Sequence, residues 1–294
     1  MTIENFNPTK WADSILLNFN DAHVYVSRCN RDYEGEISDS GDAVKINSIG
    51  RVNTFAVTKA TDITAAQDIE GAQQTLEINQ QTGFHFYIED IDKAQNKPKV
   101  MGEATREAGW ALADSADVAV ANAMRDGVDG VASGAGNGNW LTNRTIGTIG
   151  GASDAYETLV DLRTELNKDN VPTMGRWVVV SPEYEGFLLK DPRFVSFGTG
   201  QNNAVLKNGS IGRAAGFEIL ISNNTPTAAS GSGMTYAIMA GGMSACTFAD
   251  QIPPGKTEAY RPHLRFSDAL KGLHLYGFRV TRPYALARVD VAFA

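Results

Sequence analysis

Tyr33-Glu34-Gly35-Glu36-Ile37, Gly41-Asp42-Ala43-Val44-Lys45-Ile46 and Gly83-Phe84-His85-Phe86-Tyr87-Ile88-Glu89-Asp90-Ile91-Asp92-Lys93-Ala94-Gln95 bracket the stretch that decides the fold. Val44 and Ile46 alternate with Lys45 and Asn47, as one face of a strand requires. Leu76, Ile78, Phe84, Phe86 and Ile88 supply an expected return side. Between them runs a polar reach from about Lys59 to Thr75, with charges at Lys59, Asp62, Asp68 and Glu70. An isolated two-stranded hairpin is marginal in water. Something must cover this one, and the candidate is a second copy of the same chain.

Charge is placed unevenly around that arm. Residues 31–95 hold 12 acidic and 5 basic residues, and residues 251–294 hold 3 acidic and 7 basic. Two solvated faces would account for this. An acidic arm lying on a neighbour's basic surface would also account for it, with the charges setting register more than affinity. The candidate contact residues are Lys59, Asp62, Asp68, Glu70, Asp90 and Asp92 on the arm, and Arg279 and Arg282 on the basic side. The net charge of −8 argues against a chain whose main task is gripping nucleic acid.

The 294 residues suffice for one large or two modest domains, and 43% hydrophobic against 20% charged residues reads as globular. Cys29 and Cys246 are too few for a disulfide framework and lack zinc-site spacing. The start shows no secretory pattern, and no apolar run is long enough to span a membrane. Synthesis in a reducing cytoplasm is the expectation.

Beyond the arm the period changes. Gly102 to Asp126 reads as one Ala-rich helix of roughly 37 Å, a spine whose small side chains imply close packing on a sheet. Asp154 to Asn167 is a second helix, with Asp154 and Glu157 spaced like a capping box. Arg176 to Val180 is a buried strand. Ser181-Pro182-Glu183 then opens a short helix that Asp191-Pro192 ends. Phe217 to Ile221, Tyr236 to Met239, Ala245 to Phe248, Ala259 to Phe266, Leu273 to Thr281 and Leu286 to Phe293 read as strands. Asn223 to Gly233 reads as a surface loop, and residues 1–30 as an extended arm with a short helix around Trp11 to Phe19.

Chemistry finds no foothold. Gly255-Lys256-Thr257 looks like the tail of a phosphate loop, but its leading Gly would fall at Asp250, and Pro253 and Pro254 remove amides. His23, His85, His263 and His274 are scattered, with His85 and His274 expected half-buried in strands. Ser181 is a helix cap and Cys246 a small buried hydrophobe. No catalytic set, cofactor site or metal site is expected.

The order of arm, long β loop, spine helix, mixed centre and β-rich return resembles the major capsid proteins of tailed bacteriophages, the Hong Kong 97-type fold. The resemblance rests on Tyr33 to Ile37 with Gly41-Asp42 and on Ile88 to Gln95. Further supports are Gly175 to Pro182, Gly216-Phe217 with Ser222-Asn223-Asn224, and Gly277 to Val280 with Arg282-Pro283. Together these look most like the podophage coat-protein branch. The chain is too short for the inserted domain of that branch's larger members and carries no long helical pro-segment.

The resemblance implies an α+β fold with an N-terminal arm (1–32), an extended β loop (33–98), a peripheral domain with the spine helix (99–174), an axial domain (175–250) and return strands of the peripheral domain (251–294). It implies self-assembly into hexamers and pentamers of an icosahedral shell around DNA, without sequence-specific binding and away from membranes. A separate scaffolding protein, a portal and decoration proteins are the implied partners, and the shell would be built in the host bacterial cytoplasm. An encapsulin-like compartment and a soluble enzyme with a site assembled from distant residues are the alternatives.

Overall fold

A computed structural model describes residues 24–34, 43–49, 52, 54, 56, 57, 59, 71–90, 100–129, 139–147, 154–191, 212–230, 233–251 and 258–293. The expected N-terminal helix and Asp62, Asp68, Glu70 and Asp92 lie outside the described residues.

Two larger sheets and one long helix build the body. Helix α1 (Val100–Asp129) is the expected spine, two residues longer at its start and three at its end than the Ala pattern marks. It packs against β3 (Gln80–Glu89), β12 (Ser267–Val280) and β13 (Leu286–Phe293). Ala113, Ala116, Val120, Ala121 and Met124 are its fully buried face. The three alanines on that face allow the close approach read from composition. Gly127 shows how close: a Cβ there would meet Val280 Cγ2 at 2.7 Å.

The first sheet is centred on β12. It pairs antiparallel with β3, with β10 (Cys246–Asp250) and with β11 (Glu258–Tyr260). The arm is separate: among the described residues β1 (Ala43–Ile49) pairs only with β2 (Gly71–Glu77), Val44 opposite Leu76 and Ile46 opposite Gln74. The expected return side is therefore corrected. Phe84, Phe86 and Ile88 do not face β1; they pair with Gly272, Leu270 and Asp268 of the body. Phe84 lies over a residue with no side chain, since a Cβ on Gly272 would meet its ring at 2.4 Å. Alternation marks a strand, but only this size match names its partner.

The second sheet has seven strands. Its path runs β4 (Asn139–Ile146), β13, β9 (Gly233–Gly242), β5 (Arg176–Val180), β7 (Phe217–Ile221) and β6 (Arg213–Ala214), with β8 (Thr227–Ser230) also on β9. Helix α2 (Ala155–Lys168) packs on β13 and β4, and helix α3 (Pro182–Lys190) against α2. Ser181 caps α3 as expected, its Oγ accepting from the Tyr184 amide at 3.4 Å. Asp154 occupies the N-cap of α2 but makes no side-chain capping bond. β8 corrects the loop reading of 223–233: Thr227 to Ser230 form a ladder with β9. The expected strand 259–266 shortens to β11, and the chain then turns. β13 pairs with β9 inside the seven-stranded sheet, whereas β10 belongs to the sheet of β12.

One core serves both sheets. Trp177, Phe217, Leu159, Leu162 and Met239 share a continuous cluster with Met124, Phe248 and Tyr276. Tyr25, Val26 and Cys29 of the N-terminal segment complete it.

Candidate assembly interface

The root of the arm is pinned to the body by backbone contacts. Gly277 of β12 lies under the end of β2, where a Cβ would come 2.2 Å from the Glu77 carbonyl oxygen. Arg279 Nη1 donates to the Thr75 carbonyl at 2.6 Å, and Gln74 Nε2 donates to the Thr281 carbonyl at 3.3 Å. A small cluster of Val44, Leu76, Ile78 and Ala249, with Tyr33, Ile46 and Leu275 against it, seals the junction. A cavity of about 640 Å³ opens beside it, lined among others by Tyr33, Ile46, Gln74 and Arg282. Outward from the root, Val52, Thr54, Ala56, Val57 and Lys59 are all exposed, Val57 at 75%.

The sequence-selected residues thus separate. Arg279 serves its own chain's arm root. Arg282 borders the cavity there, its amide bound to the Ala245 carbonyl at 3.1 Å. Asp90 forms an ion pair with Arg261 of the same chain, and its amide donates to the Phe266 carbonyl at 3.0 Å. Lys59 stands exposed on the arm. The two histidines expected to be half-buried also part. His85 is exposed and shares a hydrogen bond of 2.8 Å with the Tyr260 hydroxyl, while His274 is fully buried.

A second device escapes the sequence reading. Residues 24–34 form a strap across the body, and carboxylates latch it at three places. Asp117 on α1 accepts the amides of Val24, Tyr25 and Val26 at 3.0, 2.7 and 3.3 Å on one oxygen, and Asn224 Nδ2 at 3.3 Å on the other. Arg28 forms a two-pronged pair with Glu218 of β7, both contacts 3.0 Å. Arg31 lies 3.5 Å from Glu34 and 3.9 Å from Asp250 of β10, its guanidinium over the Phe248 ring. The strap therefore touches the spine and both sheets. Burial raises the Asp117 carboxyl above its ordinary range, although its four donors pull the other way. Burial raises Glu34 and Asp250 too, Glu34 further through Asp250, with Arg31 opposing in both. The signal was present: Asp117 stands among Ala113, Ala116, Val120 and Ala121, on the buried side of an Ala-rich helix.

Among the described residues no cluster of His, Cys, Asp and Glu is arranged to hold a metal ion, and no helix is long and apolar enough to cross a membrane. A two-sheet body on a long spine helix, bearing a two-stranded arm whose described outer residues 52, 54, 56, 57 and 59 are all exposed, defines a shell-building subunit of the Hong Kong 97 type.

Known proteins agree. The sequence pattern described as "Phage capsid protein" matches residues 73–289, and the chain belongs to that family. The chain is 30% identical to a solved chain of Mycobacterium phage Che8, with a TM-score of 0.74 over 91% of this chain and 90% of that one. The capsid of cyanophage P-SCSP1u shares the fold at 18% identity, TM-score 0.68, covering 87% and 85%. The capsid of Ralstonia phage GP4 does so at 14% identity, TM-score 0.63, covering 89% and 85%. No curated protein matches. The chain is a tailed-phage major capsid protein, a structural protein of the virion that forms the head shell.

Proposed function

We propose that the arm beyond β1 and β2 reaches over an adjacent subunit, and that this clasp closes hexamers and pentamers into an icosahedral head. One observation carries the reading. Val52, Ala56 and Val57 stand exposed on an arm whose root is firmly packed. Apolar groups left uncovered by their own chain are stabilised when a neighbour removes them from water. Residues 175–250 are the axial domain at the capsomer centre, and residues 99–174, with α1 and the return strands of 251–294, are the peripheral domain.

The finer partners follow from the same reading. The subunit does no chemistry. A separate scaffolding protein sets shell size, a portal occupies one vertex, and decoration proteins bind outside. The net charge of −8 suits a wall that encloses DNA without holding its sequence. Assembly takes place in the host bacterial cytoplasm.

Particle size tests this. The chain is expressed with and without a candidate scaffolding protein, then analysed by sedimentation and negative-stain electron microscopy. Closed shells of uniform size with the scaffold, and rings or irregular shells without it, are expected. A monodisperse monomer or dimer in both cases would overturn the clasping reading.

A further inference from the structure

Cys29 and Cys246 are far apart in sequence, yet the strap brings them together. The strap runs parallel to the start of β10, with Asn30 bridged to Thr247. The Asn30 amide donates to the Cys246 carbonyl at 2.8 Å, and the Phe248 amide donates to the Asn30 carbonyl at 3.0 Å. One register step back, Cys29 stands beside Cys246. Neighbouring strands lie about 4.7–4.9 Å apart, inside the roughly 4.4–6.8 Å Cα separation that a disulfide spans. Each thiol donates to a carbonyl of its own segment, Cys29 Sγ to Tyr25 at 3.5 Å and Cys246 Sγ to Thr247 at 3.8 Å. Both are free and buried, at 3% and 0% exposure, in the core that also holds Tyr25 and Phe248.

We propose that Cys29 and Cys246 are a latent disulfide site, a redox lock that ties the strap to β10 once the shell leaves reducing surroundings. This rests on the reading of a shell assembled in a reducing cytoplasm and carried outside it. The oxidant is a low-molecular-weight disulfide such as oxidised glutathione. One cysteine, as thiolate, attacks it, forming a mixed disulfide and releasing one small thiol. The second cysteine attacks the mixed disulfide, the Cys29–Cys246 bond forms, and a second small thiol leaves. The protein loses two electrons and two protons, and the small disulfide gains them. Burial raises the Cys29 thiol well above its ordinary range, which keeps the pair slow while the strap is seated. The bond therefore closes when the strap lifts and reseats. Once closed, it also holds Arg28 at Glu218, so one covalent link secures the strap across both sheets.

The test uses assembled shells, sized by sedimentation, incubated with oxidised glutathione in buffer and in urea just below the unfolding transition. Free thiols are then alkylated and peptides mapped by mass spectrometry. The expected result is a linked peptide pair containing Cys29 and Cys246, a faster-migrating single-subunit band without reductant, and a rise in Tm of about 5 °C over reduced shells. Cys29→Ser and Cys246→Ser should each abolish the band shift and the Tm rise. If either variant fails to fold, the alkylation pattern of the wild-type chain decides alone. Two fully alkylated cysteines under both conditions, a bridge only between subunits, or a bridge with no change in Tm would overturn the lock. Should the chain form the internal bridge but no particle, the lock stands and the shell reading falls, so the two failures are distinguishable.

Discussion

At the scale of single residues, Asp117 shows how one buried carboxylate organises a chain end. Three amides of the strap point at one of its oxygens. Removing the acceptor leaves three donors facing a largely apolar interior, and an unmet buried donor costs about 1–3 kcal/mol. Asp117→Ala should therefore destabilise the subunit by about 2–4 kcal/mol, whereas Asp117→Asn keeps an oxygen in place and should cost far less. The pH dependence has a definite sign. Burial raises the Glu34, Asp117, Glu185 and Asp250 carboxyls above their ordinary range. A carboxyl raised in the folded state binds more protons there than in the unfolded chain. Its contribution is full below the ordinary carboxylate range and is lost as pH climbs through the raised value. The urea midpoint of the unassembled subunit should thus rise as pH falls from 7 towards 5, and Asp117→Asn should flatten part of that slope. Equal midpoints for the Ala and Asn variants, or a slope of opposite sign, would refute the latch.

At the scale of elements, the sequence was most legible where a signal is local. The α3 cap, strand β5, strand β7 and the spine helix stand where Ser181-Pro182, the Val run, Phe217 to Ile221 and the Ala spacing place them. These depend on neighbours within a turn or a pleat. Partner choice was less legible, because it is decided across most of the chain length. Phe84, Phe86 and Ile88 alternate equally well for an arm or for a body sheet. The deciding fact is the glycine at 272, opposite Phe84. Asp117 on the Ala-rich face signalled a buried partner, but which segment it holds was not legible for the same reason: the strap's bonds join residues near 28 to residues near 117, 218 and 246. Gly277 gives a test at this scale. Its missing side chain lets the Glu77–Ile78 backbone lie directly on β12, with 2.2 and 2.9 Å to a hypothetical Cβ. Backbone cannot rotate away as a side chain does, so Gly277→Ala must push the arm root off the sheet. Overpacking of this kind costs about 1–3 kcal/mol. The expected outcome is a Tm lower by about 5 °C, with shells that form poorly because the arm leaves at a changed angle. An unchanged Tm with normal shells would show that the root yields freely.

At the scale of the whole molecule, the chain divides its stabilising contacts between what it finishes alone and what it leaves for a neighbour. The core beneath both sheets is closed, and so is the arm root. The outer arm is not: its described residues 52, 54, 56, 57 and 59 are all exposed. Folding and assembly should therefore be separable. Deleting residues 59–70 removes the tip and spares the β1–β2 ladder, which ends at Ile49 opposite Gly71. If the segment serves the neighbour alone, the truncated subunit should keep its stability to within about 0.5 kcal/mol. It should fail to close shells, giving isolated subunits or open rings in sedimentation. A deletion that lowers Tm sharply would place the tip in the subunit's own fold. A deletion that still assembles into normal heads would assign closure to the body surfaces, and the exposed valines of the arm would then need another covering.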